Sequence, residues 1–333
     1  MFPHEESNKS ICFSDAGFRS SFCVLSIKGP ADLHFGATID AYQQLPRYRY
    51  ASDGSRIDNI TDWALEQFRA HYAGQGAAFG APSPGASRHP LPQGERGETS
   101  PPLPSPLAGE GGSPQAKRMR GAAEISKDDI FHYVYAVLHD PIYREKYAPN
   151  LKREFPRIPF YPDFRRWADW GEKLMQLHIG YETIAPWKLR RTDVKDEKAA
   201  RAGVAPKTIL KADKDNGIIV LDSETQLSGV PKTAWDYRLG NRSGLEWILD
   251  QYKEKTPKDP TIRERFNTYR FADYKEKVVD LLLRVTRVSV ETMEIVEAMR
   301  ATPRPQPPSV EAAEKPAAEK PAKAKAGRPK KNP

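Results

Sequence analysis

The chain has 333 residues, with 52 Lys plus Arg against 44 Asp plus Glu, a net charge of +8 and 38% hydrophobic residues. No run approaches the roughly 18 apolar residues a membrane span needs, and the opening MFPHEESNKSICF has neither the basic start nor the apolar stretch of a secretory signal. Two cysteines, Cys12 and Cys23, exclude a disulfide scaffold and a paired-cysteine zinc site, so the expectation is a cytoplasmic protein with reduced thiols and no membrane partner.

The N-terminal part reads as β-rich. KSICFSD and SFCVLSI are short runs rich in Ile, Val, Phe and Cys separated by a Gly-containing turn, and ADLHFG and PRYRYA are further strand candidates. DNITDWALEQFRAHY then reads as a helix capped by Thr61 or Asp62, with Trp63, Leu65, Phe68 and Tyr72 near one face. Residues 73–123 hold 9 Pro and 10 Gly and show no hydrophobic period. Such a segment buries too little apolar surface to offset its chain entropy, so a disordered insert is expected there.

Beyond the insert the helical signals sharpen. ISKDDIFHYVYAVLHD places Ile130, Tyr133, Val134, Val137 and Leu138 at helical spacing, with Ser126 as cap and Asp129 three residues on. Asp140-Pro141 ends that helix, and PIYREKYAPNLKREF follows as one or two short helices. FPRIPFYP, with its prolines, is extended. DFRRWADWGEKLMQLHIGYE carries Phe164, Trp167, Gly171, Leu174 and His178 on one stripe. Residues 187–214 read as a charged, loop-like stretch that leads to the strand NGIIVLD. Ser243 and Glu246 form a capping box before the next helix, and FADYKEKVVDLLLRVTRVSVETMEIVEAM is one long or two abutting helices. The tail 301–333 is a Lys/Ala/Pro-rich segment expected to be disordered.

The fold class is therefore α+β. A β-rich part with one helix covers 1–72, a disordered insert 73–123, a mainly helical part with a small second sheet 124–300, and a disordered tail 301–333. The insert carries +2 and the tail +5, which leaves +1 for the rest. A basic overall charge thus says nothing about the folded core, and only local clusters do.

Catalytic patterns are absent or weak. There is no GxxxxGK[ST] phosphate loop, no HExxH, no GxSxG and no NPPY-like tetrapeptide for amino-methyl transfer. Pro162-Asp163 followed by Asp196-Glu197-Lys198 matches a PD…(D/E)xK nuclease pattern. However, Asp163 opens a helix, and the second half does not read as a strand. His132 and His139 lie seven apart on one helix without a visible third ligand, and Cys12 and Cys23 sit in apolar strands as inert thiols.

Three clusters have the chemistry to meet nucleic acid. Residues 143–167 carry seven basic and three acidic side chains interleaved with aromatics, among them Arg153, Arg157, Arg165 and Arg166. Arginine neutralises phosphates or forks onto guanine; the competing reading is a solvated face over an aromatic core. Residues 186–214 carry nine basic and four acidic side chains, densest at Lys188, Arg190 and Arg191. The loop LGNRSG offers Asn241, suited to adenine, and Arg242, suited to guanine, although helix entry explains the same residues. In the tail, Arg328, Lys330 and Lys331 form a polybasic end whose Gly-Arg-Pro matches part of a minor-groove hook, with Ala326 where a basic residue is needed.

Several long strings together resemble the C-terminal specificity region of Type ISP restriction-modification enzymes: ITDWALEQF, IFHYVYAVLHDPIYREKYAPNLKREFPRIPF, WDYRLGNRSGLEWILDQYKEKTPKDPTIRERFNTYRFADYKEKVVDLL and VSVETMEIV. The similarity covers about residues 11–300, broken by the insert. It implies a non-catalytic target-recognition module for double-stranded DNA, separated from its enzyme, with a methyltransferase/helicase polypeptide as a partner. S-adenosylmethionine, ATP and Mg would belong to the missing upstream domains, leaving no cofactor in this chain. Two alternatives stay open: part of an active adenine methyltransferase or nuclease, or a remnant that binds DNA only through its tail.

Overall fold

A computed structural model describes residues 8–19, 21–31, 41–73, 124–255, 258–265 and 269–304. The insert from residue 74, the tail from 305 and most of the ADLHFG strand candidate lie outside the described residues. Lys9–Ser14 (β1), Val24–Lys28 (β2) and Tyr42–Pro46 (β3) form an antiparallel sheet of order β2-β1-β3. Strand β1 is central and covered on both faces. Ile11 and Phe13 enter the main core, while Ser10 and Cys12 on the opposite face are also buried. Gln44 satisfies part of that polar side by donating to Ser10 Oγ at 2.9 Å and to the Gly29 carbonyl at 2.7 Å. Cys12 and Cys23 are buried free thiols, and burial pushes the Cys12 thiol up to about 12.

Tyr48–Tyr50 (β4) and Arg56–Asp58 (β5) form a ribbon leading to helix α1, Asp62–Tyr72, capped by the Thr61 side chain. Phe68 and Tyr72 are buried as expected, but Trp63 is 70% exposed. Trp63 sits in the first turn, before the apolar stripe reaches the core, so its helical spacing carries no packing.

Lys127–His139 (α2), Pro141–Lys146 (α3), Ala148–Leu151 (α4) and Phe164–Ile179 (α5) complete the first core. Helix α2 opens on the expected capping box between Ser126 and Asp129. Hydrophobic residues from both sides of the insert meet here: Ile11, Phe13, Phe68 and Tyr72 pack with Tyr133, Val137, Trp167 and Leu174. Arg47 ties the ribbon to α2, with Nη1 2.5 Å from Asp58 and Nε 2.6 Å from Asp128. Burial raises the Asp58 carboxyl, but Arg47 and Lys127 outweigh it and hold it below the usual carboxylate range.

A group depressed in the folded state stabilises fully above its unfolded pKa of about 4, and loses that contribution as pH falls through the lower folded value. Stability is therefore expected to be flat above about pH 5 and to fall below about pH 4. Substituting Arg47→Met should flatten this acid limb, as read from urea midpoints between pH 3 and 6.

The second core surrounds an antiparallel sheet of order β6-β9-β8-β7: Arg190–Asp193 (β6), Thr208–Asp213 (β7), Ile218–Asp222 (β8) and Thr225–Ser228 (β9). Residues 187–214 are thus not a loop. They contain β6, the short helix Glu197–Ala202 (α6) and β7. Both strands lie at sheet edges, where a single ladder and one buried face suffice, so neither needs an apolar run.

Thr233–Asp236 (α7), the hairpin Arg238–Leu239 (β10) and Arg242–Ser243 (β11), Gly244–Gln251 (α8), Pro260–Arg265 (α9) and Lys275–Ala301 (α10) follow. Helix α8 opens on the expected Ser243–Glu246 capping box. Helix α10 is the long helix, and it serves both cores. Val278, Leu282 and Val290 pack on the second sheet, while Met299 reaches the first core. His178 at the end of α5 locks to it. The Tyr135 hydroxyl lies 2.5 Å from His178 Nδ1 and Thr292 Oγ1 lies 3.0 Å from Nε2, so the ring bridges α2 and α10 through two hydrogen bonds. Burial drives the His178 pKa down to about 3, which keeps the ring neutral in this bridge. His139, 4% exposed, donates from Nδ1 to the Tyr135 carbonyl one turn back, so it is a packing element of α2.

Candidate nucleic-acid interface

Ion pairing sorts the candidate residues. Arg165 pairs with Asp129 at 2.9 Å, Arg166 with Asp163 at 3.0 Å and Arg157 with Glu154 at 2.8 Å. Arg242 pairs with Asp250 at 2.5 Å and lies over the Trp247 ring. Arg191 is the most heavily engaged. Its guanidinium forks onto Glu276 at 2.7 and 2.9 Å, and its Nε donates to Asp193. Hydrogen bonds to Glu276 and then Asp193 push its pKa above the ordinary guanidinium value.

Asp129, which pairs with Arg165, and Glu276, one of the two partners of Arg191, come from other elements, which is why a local charge count overstates the free positive charge. Arg144, part of the same basic run, donates to the Leu138 carbonyl at 2.6 Å and lies over the Phe22 ring, in a structural role. By contrast, the side chains of Lys188, Arg190, Arg153 and Asn241 are exposed and have no hydrogen-bond or ion-pair partner among the described residues. Asn241 sits at the tip of the β10–β11 turn, where Gly240 rather than Asn241 adopts the left-handed backbone with φ of 65°. Arg328, Lys330 and Lys331 lie outside the described residues.

The nuclease-like residues do other work. Asp163 caps α5 and accepts from the Arg166 amide at 3.3 Å. Asp196 caps α6 and accepts from the Ser223 hydroxyl at 2.6 Å. Among the described residues, no group of three or more His, Cys, Asp and Glu is arranged to hold a metal ion, and no helix is long and apolar enough to cross a membrane.

Sheet register adds residues that the charge clusters did not show. In the second sheet Arg191, Leu227, Ile219 and Ala212 share one cross-strand row facing the core. One position over, Thr192, Gln226, Val220 and Lys211 form a row on the opposite face, and Arg190, Ser228 and Ile218 line up beside it. Leu227 and Ile219 are fully buried, whereas Arg190, Gln226 and Lys211 are exposed. The period-2 alternation in TQLS was the available signal for Gln226.

Comparison with known proteins places this arrangement. The family model described as the Type ISP C-terminal specificity domain matches residues 1–281, and the chain belongs to that family. No curated protein matches it. Among solved structures, DrdV in a complex with DNA is 45% identical, with a TM-score of 0.70 over 90% of this chain and 25% of the DrdV chain. The Type ISP restriction-modification enzymes LlaGI, with a DNA substrate mimic, and LlaBIII, bound to DNA, share the fold. They are 24% and 19% identical, with TM-scores of 0.54 and 0.57 over 89% and 90% of this chain. The chain spans a quarter or less of each of these three proteins' lengths.

Proposed function

We propose that this chain is a target-recognition module that reads double-stranded DNA, without catalytic machinery of its own, for a methyltransferase/helicase polypeptide of a Type ISP system. The observation that carries this is the family match over residues 1–281, joined to 45% identity across 90% of the chain with DrdV, whose structure is a DNA complex. The exposed side chains of Lys188, Arg190, Arg153 and Asn241, which have no hydrogen-bond or ion-pair partner among the described residues, supply the contact chemistry, phosphate for lysine and base edge or phosphate for arginine and asparagine. S-adenosylmethionine, ATP and Mg would be held by the partner.

Fluorescence anisotropy of the full chain with labelled duplexes, over a salt series, tests this. The expected result is salt-dependent binding with a preference for particular sequences, together with no saturable S-adenosylmethionine binding by calorimetry. Stoichiometric S-adenosylmethionine binding would overturn the non-catalytic assignment. Neutralising the tail through Arg328→Ala, Lys330→Ala and Lys331→Ala should weaken all duplexes alike and lower the salt slope by up to about 3. A tail that carried the binding alone would instead take all affinity with it.

A further inference from the structure

We propose that the β6–β9 pair is the element that enters the DNA major groove, with Arg190 and Gln226 as base-reading side chains and Lys188 and Lys211 on the flanking phosphates. This rests on the target-recognition reading and names the surface that performs it.

The first ground is coverage. Strand β1, at the centre of the N-terminal sheet, has buried residues on both faces, so that sheet has no face to offer. The second sheet packs one face on α7, α8 and α10 through Leu221, Leu227 and Ile219, and carries exposed polar side chains on the other.

The second ground is pairing. Strand alternation sends the adjacent arginines Arg190 and Arg191 to opposite faces. Arg191 is consumed by Asp193 and Glu276, while the Arg190 side chain has no hydrogen-bond or ion-pair partner among the described residues. Thr192 and Gln226, opposite each other across the β6–β9 ladder, likewise have no side-chain hydrogen bond there. An arginine, a glutamine and a threonine with uncommitted donors and acceptors on one small patch are the side chains that pair with guanine O6/N7, adenine N6/N7 and either base. A face meant only for water has no need of that selection.

The third ground is size. A row crossing all four strands spans about 14 Å, at roughly 4.8 Å per strand. A major groove about 12 Å wide admits two strands. Of the two edge pairs, β8–β7 presents Ile218 and Val220 on this face, whereas β6–β9 presents Arg190, Thr192 and Gln226, so β6–β9 is the pair suited to enter. The row then continues through Val220 to Lys211 on β7, where the groove wall brings a phosphate backbone. Lys188, two residues before β6, is exposed at the other side. Acidic side chains bordering this face are engaged locally: Asp213 is held in its own turn by Asn216, whose side-chain amide donates at 2.8 Å, and Glu224, just before β9, accepts from the Asp196 amide at 2.8 Å.

The test is selection from a randomised duplex library by the full chain and by Arg190→Ala, Arg190→Lys and Gln226→Ala variants, each first shown to melt like the unaltered protein. The unaltered chain is expected to enrich a motif. Arg190→Ala should lose preference at one or two adjacent positions by roughly 5- to 100-fold while keeping binding to random duplex. Arg190→Lys should keep the affinity but not restore the preference, because an ammonium cannot fork onto a base. Gln226→Ala should relax a neighbouring position. If the variants enrich the same motif as strongly as the unaltered chain, the β6–β9 assignment is wrong, although the module still reads DNA. If the unaltered chain binds but enriches nothing, the target-recognition reading itself fails.

Discussion

Substituting Gly171→Ala is expected to destabilise the protein by at least ~3 kcal/mol, at the upper end of overpacking effects, and to lower its melting temperature by roughly 6–12 °C. A β-carbon at position 171 would lie 1.8 Å from the His132 carbonyl oxygen and 2.5 Å from its carbon. Both are backbone atoms inside α2, so no side chain can rotate away. Relief requires α2 and α5 to move apart, and that strips contact from Tyr133, Val137, Trp167 and Leu174, the centre of the first core. Intrinsic helix propensity pushes the other way, since alanine in a helix interior is better than glycine by about 1 kcal/mol. The two effects have opposite signs, so the sign of the measured change decides between them. Urea unfolding followed by tryptophan fluorescence provides it, and an alanine variant as stable as the original would show that the two helices do not approach this closely. The disturbance should also travel, because α5 ends at His178, which holds Thr292 of the long helix.

How much of this was legible beforehand depends on the range of the interaction. Local signals were clear. The Ser126–Asp129 and Ser243–Glu246 boxes are present as expected, because a capping box is closed by residues three apart. The stripe Phe164, Trp167, Gly171, Leu174 and His178 is buried as its spacing required. The edge strand Arg190–Asp193 was not legible. Its sequence RRTD has no apolar residue, and its strand form comes from pairing with Thr225–Ser228, more than thirty positions away. The same limit applies to the candidate interface. Whether an arginine is free to meet DNA depends on where its acid lies. Glu276 is 85 positions from Arg191, and Asp129 is 36 from Arg165. Composition found the right chemical types at Arg190 and Arg191. The register of the sheet then separated the uncommitted one from the one that braces α10, and added Gln226, which carries no charge to count.

That dependence on register makes Asp222 the second position of large effect. It ends β8, and its side chain organises the turn into β9. One oxygen accepts from the Glu224 amide at 2.9 Å and from the Thr225 amide at 2.8 Å, and the other is 2.8 Å from Lys275 Nζ at the start of α10. Only 4% of Asp222 is exposed. Asp222→Ala would leave two turn amides without their acceptor and Lys275, itself largely buried, without its counter-charge. Removing one partner of a buried ion pair typically costs about 3–5 kcal/mol. Asp222→Asn keeps an acceptor for the two amides and loses only the charge, so it should be milder. Adding Lys275→Met to Asp222→Asn should recover part of the loss, because the orphaned ammonium goes with it. The turn also sets which residues of β9 face outward, so Asp222→Ala should blunt sequence-selective DNA binding well before it abolishes salt-dependent binding to any duplex. Unfolding curves and duplex selection on the three variants check both halves. A cost under about 1 kcal/mol for Asp222→Ala, the range of an exposed ion pair, would mean that this turn does not hold the register on which the proposed groove-binding face depends.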